Sequence, residues 1–220
     1  FNPRMKIGEA VGHPLEIHSL AKQDEKRKRV LEILERVGIT PAEKFLDLYP
    51  HQMSGGQRQR AAMARALILQ PEFIVADEPV SMIDVSLRTA IIDLMLNLRK
   101  DFGLTYLFIT HDLAIAKYIS DRIAIMYLGK IVELGDKSTI FSNPMHPYTQ
   151  ALLSAIPVPA PERKQKTTEL IGDVPSAINI PSGCRFRTRC RCAEKACEEK
   201  EPELIPVSPN HYVACNLAEN

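Results

Sequence analysis

Two short patterns in this 220-residue chain could handle phosphate. In the first, M-S-G-G-Q, residues Ser54, Gly55 and Gly56 stand where a helix should begin. A hydroxyl cap is followed there by two residues that leave the backbone N–H groups uncovered, and such a helix end attracts anions. In the second, the apolar run Phe73-Ile74-Val75-Ala76 ends abruptly in Asp77-Glu78-Pro79. Adjacent carboxylates at the end of a strand suit phosphoryl chemistry, in which one carboxylate fixes Mg²⁺ on the phosphates and a second group positions or deprotonates the attacking water. Asp77 suits the first role and Glu78 the second.

Specific elements must position these residues. From Gln57 the pattern is helical, with Ala62, Ala66 and Leu69 on one face and Arg58 and Arg65 turned elsewhere, until Pro71 stops it. Residues 73–76 read as a buried strand of a parallel sheet. Upstream, helices are predicted over 7–18 and 24–37; in the second, Val30, Leu31, Leu34 and Val37 recur at helical spacing before Gly38 ends it. The cluster Lys26-Arg27-Lys28-Arg29 reads as a solvated helix face. Downstream, Leu87, Ala90, Ile91, Leu94 and Leu98 place an apolar stripe on a helix that Gly103 terminates, and 105–110 is a second buried strand. Ligands of open α/β sheets gather at the carboxyl ends of strands, so His111 should arrive beside Asp77 and Glu78. A short helix from Asp112 follows, then a hairpin at the sheet edge around Leu128-Gly129. Prolines become frequent from position 141; His146 caps a short helix whose Leu152 and Leu153 pack back on the core, a packing role rather than a catalytic one.

Composition sets bounds. A hydrophobic share of 45% is ordinary for a globular core, and a formal charge of +1 argues against a general electrostatic nucleic-acid binder. No run reaches the roughly eighteen apolar residues of a membrane span. The opening F-N-P-R-M-K-I-G has neither an initiator Met nor the apolar core of a signal peptide, and a truncated chain is expected.

The ordered motifs resemble those of the ATP-binding-cassette (ABC) ATPases. M-S-G-G-Q is similar to the signature L-S-G-G-Q, and the strand ending in Asp77-Glu78 to the Walker B strand. Ser81-Met82-Ile83-Asp84 is similar to the D-loop, usually S-A-L-D, and Thr110-His111-Asp112 to the switch histidine. The phrase N-P-M-H-P-Y-T-Q-A-L-L-S-A-I-P, with Gly172-Asp-Val-Pro-Ser and Pro181-Ser-Gly-Cys184, resembles the C-terminal extension of oligopeptide and dipeptide importer ATPases. The P-loop G-x-x-x-x-G-K-S/T is not among these residues and would lie upstream.

The resemblance implies an α/β fold: the C-terminal part of an ABC-type P-loop ATPase domain, with a helical subdomain and signature motif over 1–70, part of the RecA-like core over 71–142, and a cysteine-rich extension over 143–220. It implies an ATPase, inactive as this stretch alone, that couples ATP hydrolysis to peptide uptake at the cytoplasmic face of the membrane as a peripheral subunit. Its partners would be a second ABC ATPase subunit, transmembrane permease subunits and, indirectly, an extracytoplasmic substrate-binding protein, with no nucleic acid. Two subunits would pair head to tail, so that Ser54, Gly55, Gly56 and Gln57 of one approach ATP held by the other. Asp77 would hold Mg²⁺, Glu78 would polarise water, His111 would steady the γ-phosphate, and Asp84 would communicate across the interface. Met53, Met82 and Ile83 depart mildly from the family pattern, with altered packing the expected consequence. Two alternatives stay open: a soluble ABC ATPase, and a non-catalytic iron–sulfur or metal-binding module derived from such a subunit.

All five cysteines, Cys184, Cys190, Cys192, Cys197 and Cys215, crowd into the last segment. In a cytosolic protein this points to metal or cluster ligation rather than disulfides. The Pro- and Gly-punctuated segment supplies no apolar core of its own, so a staple is expected. Four thiolates fit either tetrahedral zinc or an iron–sulfur cluster, and the wide spacings, unlike paired C-x-x-C knuckles, favour zinc less than usual. The family resemblance implies a 4Fe–4S cluster on Cys184, Cys190, Cys197 and Cys215, structural in role, with Cys192 the spare.

Overall fold

A computed structural model describes residues 1–81, 83–156, 171–176 and 178–218. The chain divides into two units, Phe1–His111 and Asp112–Asn220.

The first unit is built on four helices, α1 (Ile7–Ile17), α2 (Gln23–Arg36), α3 (Glu43–Leu46) and α4 (Gly55–Leu67), followed by β1 (Phe73–Asp77), the long α5 (Val85–Phe102) and β2 (Thr105–Ile109). Ile7, Val11 and Leu15 of α1 meet Val30, Ile33 and Leu34 of α2 and Ala61, Ala64 and Leu67 of α4 in one apolar cluster. Gly38, at φ +76°, ends the second helix in the left-handed conformation that a side chain disfavours.

The predicted helices are present, but the buried face of one lies elsewhere. On α4 the buried residues are Ala61, Ala64 and Leu67, while Ala62 and Ala66 are exposed. Alanines stand on both sides of α4, so periodicity alone leaves its rotation open. On α5 the predicted stripe holds at Ile91, Leu94 and Leu98 and is widened by Ile92 and Met95, while Leu87 and Ala90 face solvent.

The two strands pair in parallel, with Phe73 opposite Thr105 and Asp77 opposite Ile109. They are not buried on both faces as the apolar runs suggest. Ile74 and Tyr106 pack on the helical cluster, whereas Phe73 and Val75 are each 55% exposed and Leu107 is 50% exposed. Alternation along the pleat sets this, because only one face of the pair meets helices.

The second unit runs through α6 (Leu113–Ile119), β3 (Arg122–Tyr127), β4 (Lys130–Asp136), α7 (Lys137–Ser142), α8 (Pro147–Ser154), α9 (Ala196–Glu199), β5 (Ile205–Ser208) and β6 (His211–Val213). Asp112 caps α6 by accepting from the backbone N–H groups of Ala114 (2.9 Å) and Ile115 (3.2 Å). The predicted hairpin forms, with Leu128 and Gly129 both at positive φ in its turn. It does not extend the β1–β2 pair: it belongs to a separate antiparallel sheet in the order β3-β4-β6-β5. There β4 is an inner strand, with Glu133 opposite Val213.

The expectation that the cysteine segment lacks a core is corrected here. Phe186 is only 2% exposed, its ring 5.2 Å from that of Tyr127 and 5.3 Å from that of Tyr148. The segment borrows a core from the β3–β4 hairpin and α8, and β6 adds to the sheet. Arg185 fastens the arrangement through the Leu128 carbonyl and Glu201. A packed core does not require a metal staple.

Candidate functional site

The parallel register brings the ends of β1 and β2 side by side, and the two residues that leave those ends meet. Glu78 donates its backbone N–H to the Ile109 carbonyl (2.9 Å), and its Oε1 lies 3.0 Å from Nδ1 of His111. Both side chains are open to solvent, 46% and 75% exposed. The hydrogen bond to His111 is the largest influence holding the Glu78 carboxyl below the usual range, opposed by partial desolvation. A carboxylate kept ionised on an imidazole is suited to accept a proton from, or orient, a water at the strand ends. Glu78 also has φ +43°, a strained conformation for a residue with a side chain.

Asp77 is the last residue of β1 and is exposed. No hydrogen bond or ion pair engages its carboxylate among the described residues. A full negative charge, unneutralised at the mouth of the strand pair, fits a divalent cation, which prefers carboxylate oxygen. Asp84, at the N-cap position of α5, makes no side-chain cap bond and is likewise exposed. Met82 lies outside the described residues, and Ile83 is buried at 8% exposure.

The Ser54 loop is a built helix start. Ser54 Oγ accepts from the N–H of Gln57 (3.2 Å), and Gln57 Oε1 accepts from the N–H of Ser54 (2.9 Å), a reciprocal capping box. Met53 plugs the helical core at 4% exposure, which satisfies the apolar requirement at that position. Arg58 donates to the Met53 carbonyl (2.8 Å) and fixes the approach to the loop. A Cβ added to Gly55 would meet nothing within 4 Å. The chain's own packing thus gives no reason for that glycine.

Residues 1–81 match the ABC transporter family, and residues 132–197 match the family of the oligopeptide/dipeptide transporter C-terminal region. The "Putative oligopeptide transport ATP-binding protein YkfD" of Bacillus subtilis is 50% identical over 223 residues, covering 100% of this chain and 67% of that protein. The chain belongs to the ABC ATPase subunits of the oligopeptide and dipeptide importers. The "Dipeptide transport ATP-binding protein DppF" of Haemophilus influenzae is 46% identical, over 98% of this chain and 65% of that protein. A solved structure, "Dimeric structure of a post-hydrolysis state of the ATP-binding cassette MJ0796 bound to ADP and Pi", superposes at a TM-score of 0.53 with 33% identity, over 61% of this chain and 58% of that one. The chain therefore spans about two thirds of the length of these curated relatives.

In this peptide-importer ATPase, sequence placed Glu78 and His111 together and the structure brings them into contact. It did not place the four cysteines as closely. Among the described residues no three Cys, His, Asp or Glu side chains form a group able to hold a metal ion, so the expected four-cysteine site is not assembled. All five cysteines are free thiols. They are neighbours all the same. Burial pushes the Cys184 thiol up, with smaller contributions from Cys197 and Cys215, and pushes that of Cys190 up to about 11, with Cys192, Cys215 and Cys184 adding.

One buried constellation was missed. Glu133, fully buried on β4, accepts from the N–H groups of Met145 (2.8 Å) and His146 (3.0 Å) and lies 2.7 Å from Nε2 of His211. It ties β4, the start of α8 and β6 together. A Glu between Val132 and Leu134 in an apolar strand was the signal. His146 has the expected packing role: it is 1% exposed, and its Nδ1 accepts from the Tyr148 N–H (3.0 Å).

Proposed function

We propose that this chain carries the hydrolytic half of a nucleotide site in a subunit that drives peptide uptake across a membrane. The observation that carries the reading is the 3.0 Å contact between Glu78 and His111 beside the free carboxylate of Asp77. Asp77 holds Mg²⁺, which supplies charge neutralisation on the phosphates. Glu78 orients the attacking water and accepts its proton, and His111 steadies both Glu78 and the γ-phosphate. Ser54, Gly55, Gly56 and Gln57 face ATP on a second ATPase subunit, where uncovered N–H groups at a helix start meet the phosphate charge. Asp84, exposed and uncapped, reaches across the same interface. On this reading 1–70 is the helical subdomain, 71–142 part of the ATPase core and 143–220 the importer extension.

The partners are a second ABC ATPase subunit and transmembrane permeases, with a substrate-binding protein acting through them, and the subunit sits at the cytoplasmic membrane face. Among the described residues no helix is long and apolar enough to cross a membrane, which is consistent with peripheral attachment. Fixed on its cysteines, the extension holds an iron–sulfur cluster. That reading is supported by the closeness of Cys184 to Cys197, whose carbonyl accepts from the Cys184 N–H (2.8 Å), and it requires the thiols to close together from their present positions.

The test is reconstitution with the permease subunits in sealed vesicles. Mg·ATP-dependent accumulation of a labelled di- or oligopeptide is expected, and ATP turnover without peptide movement would contradict the transport assignment.

A further inference from the structure

Glu78 is held in a conformation that its residue type resists, and the surrounding bonds show what holds it. At φ +43° its backbone lies in the left-handed region, where a side chain crowds the following carbonyl. Such a residue persists only when its surroundings over-determine it. The N–H is pinned by the Ile109 carbonyl at 2.9 Å. The carbonyl is pinned twice by one residue: Ser81 donates to it from its backbone N–H at 3.2 Å and from its hydroxyl Oγ at 3.0 Å. Glu78-Pro79-Val80-Ser81 is thus a β-turn with proline at its second position, where a fixed φ suits the turn. Val80 buries the middle of the turn at 3% exposure.

We propose that Ser81 is a positioning residue for hydrolysis, its hydroxyl locking the Glu78 carbonyl so that the left-handed backbone aims the Glu78 carboxylate at His111 and the water site. The proposal rests on the reading of Glu78 as the water-orienting group. A serine suits the task because its short side chain can reach back to a carbonyl three residues earlier, competing with solvent for it. Alanine keeps the backbone bond and loses only the hydroxyl, so the expected effect is that of one ordinary hydrogen bond.

Two measurements test this. In the subunit assembled with its permeases, Ser81→Ala should lower kcat about fivefold, the scale of one hydrogen bond, with KM for ATP unchanged. In the 220-residue chain, the ¹³C resonance of the Glu78 backbone carbonyl should shift in Ser81→Ala as its hydroxyl donor is lost. Ser81→Thr, which keeps the hydroxyl, should restore both. Parent turnover or an unshifted Glu78 carbonyl resonance in Ser81→Ala overturns the proposal, as does failure of threonine to rescue. Should Ser81→Ala not fold, Ser81→Cys, a near-isosteric poorer donor, is read in the same way. Failure of the site reading itself is separate: Glu78→Gln would then turn over ATP at the parent rate, while the Ser81 effect on the Glu78 carbonyl resonance would still be measurable.

Discussion

Glu78 and His111, 33 residues apart in sequence, share a 3.0 Å hydrogen bond because the strands they leave end in register. Asp77 pairs with Ile109, so the next residue on one strand and the second on the other emerge at a common edge. A one-residue slip would send these side chains to opposite faces. The site is therefore a product of strand register, and the imidazole is the principal partner of the carboxylate.

Replacing that partner should be visible both in the carboxylate left behind and in turnover. His111→Ala removes the largest influence lowering the Glu78 carboxyl, so its titration should move up toward the ordinary carboxylate range. Carboxyl ¹³C NMR of the 220-residue chain reads this directly. Hydrolysis in the assembled transporter should fall by roughly 10²-fold or more, the scale of a lost acid–base partner. An unmoved Glu78 titration would mean that the contact does not persist in solution.

The signature loop separates folding from function. Ser54→Ala loses the bond to the Gln57 N–H and should cost about 1 kcal/mol in chemical denaturation. Gly55→Ala should leave the stability of the chain the same or slightly raised, because nothing lies within 4 Å of the new methyl. In the assembled transporter the same Gly55→Ala should abolish most ATP turnover, since on the proposed reading the loop there faces phosphate on the other subunit. Full turnover in that variant would remove the reason for the glycine.

His146 predicts a pH dependence. Burial lowers its folded-state pKa from 6.5 to about 4, against a smaller opposing effect of Glu133. Between those values the unfolded chain binds more protons than the folded one, so stability rises with pH across the window. The contribution is fully present above about pH 6.5, is lost as pH falls toward 4, and amounts to about 3 kcal/mol. Urea denaturation followed by circular dichroism should show this slope for the second unit. His146→Asn, which can still accept from the Tyr148 N–H, should flatten it, and an unchanged slope in that variant would assign the dependence to other groups.

Sequence carried the chemistry of this chain further than its packing. Asp77, Glu78 and His111 were legible because each stands just past an apolar run, and strand ends are where α/β sheets present groups. The Ser54 cap was legible as a hydroxyl ahead of two glycines, whereas the return bond to Gln57 Oε1 emerges only in the structure. The buried face of α4 was not, because Ala62 and Ala66 are as small as Ala61 and Ala64 and only tertiary packing distinguishes them. Nor was the core of the cysteine segment, since Phe186 is buried by Tyr127 and Tyr148, which come from elements some 40 to 60 residues earlier. The clasp of Glu133 on His211 spans 78 residues and left only the oddity of one carboxylate in an apolar strand.

The extension can be examined independently of nucleotide. Anaerobic purification of the assembled subunit should give a brown protein absorbing broadly near 400 nm, roughly as iron–sulfur proteins do, with Cys184, Cys190, Cys197 and Cys215 as ligands. Cys192→Ser should keep the colour and Cys197→Ser should lose it. A colourless preparation with stoichiometric zinc would replace the cluster by zinc, and one with neither metal would leave Cys184 and Cys190 as packing groups on the Phe186 cluster.

The most direct measurement is Mg·ATP hydrolysis by Glu78→Gln in the transporter assembled with its permeases. Glutamine keeps the shape and can still hydrogen-bond, but it cannot take a proton from water. The account predicts nucleotide binding at parent affinity with turnover reduced by orders of magnitude, as when a water-activating group is lost. Hydrolysis at the parent rate would contradict it and take the catalytic role away from the Glu78–His111 pair.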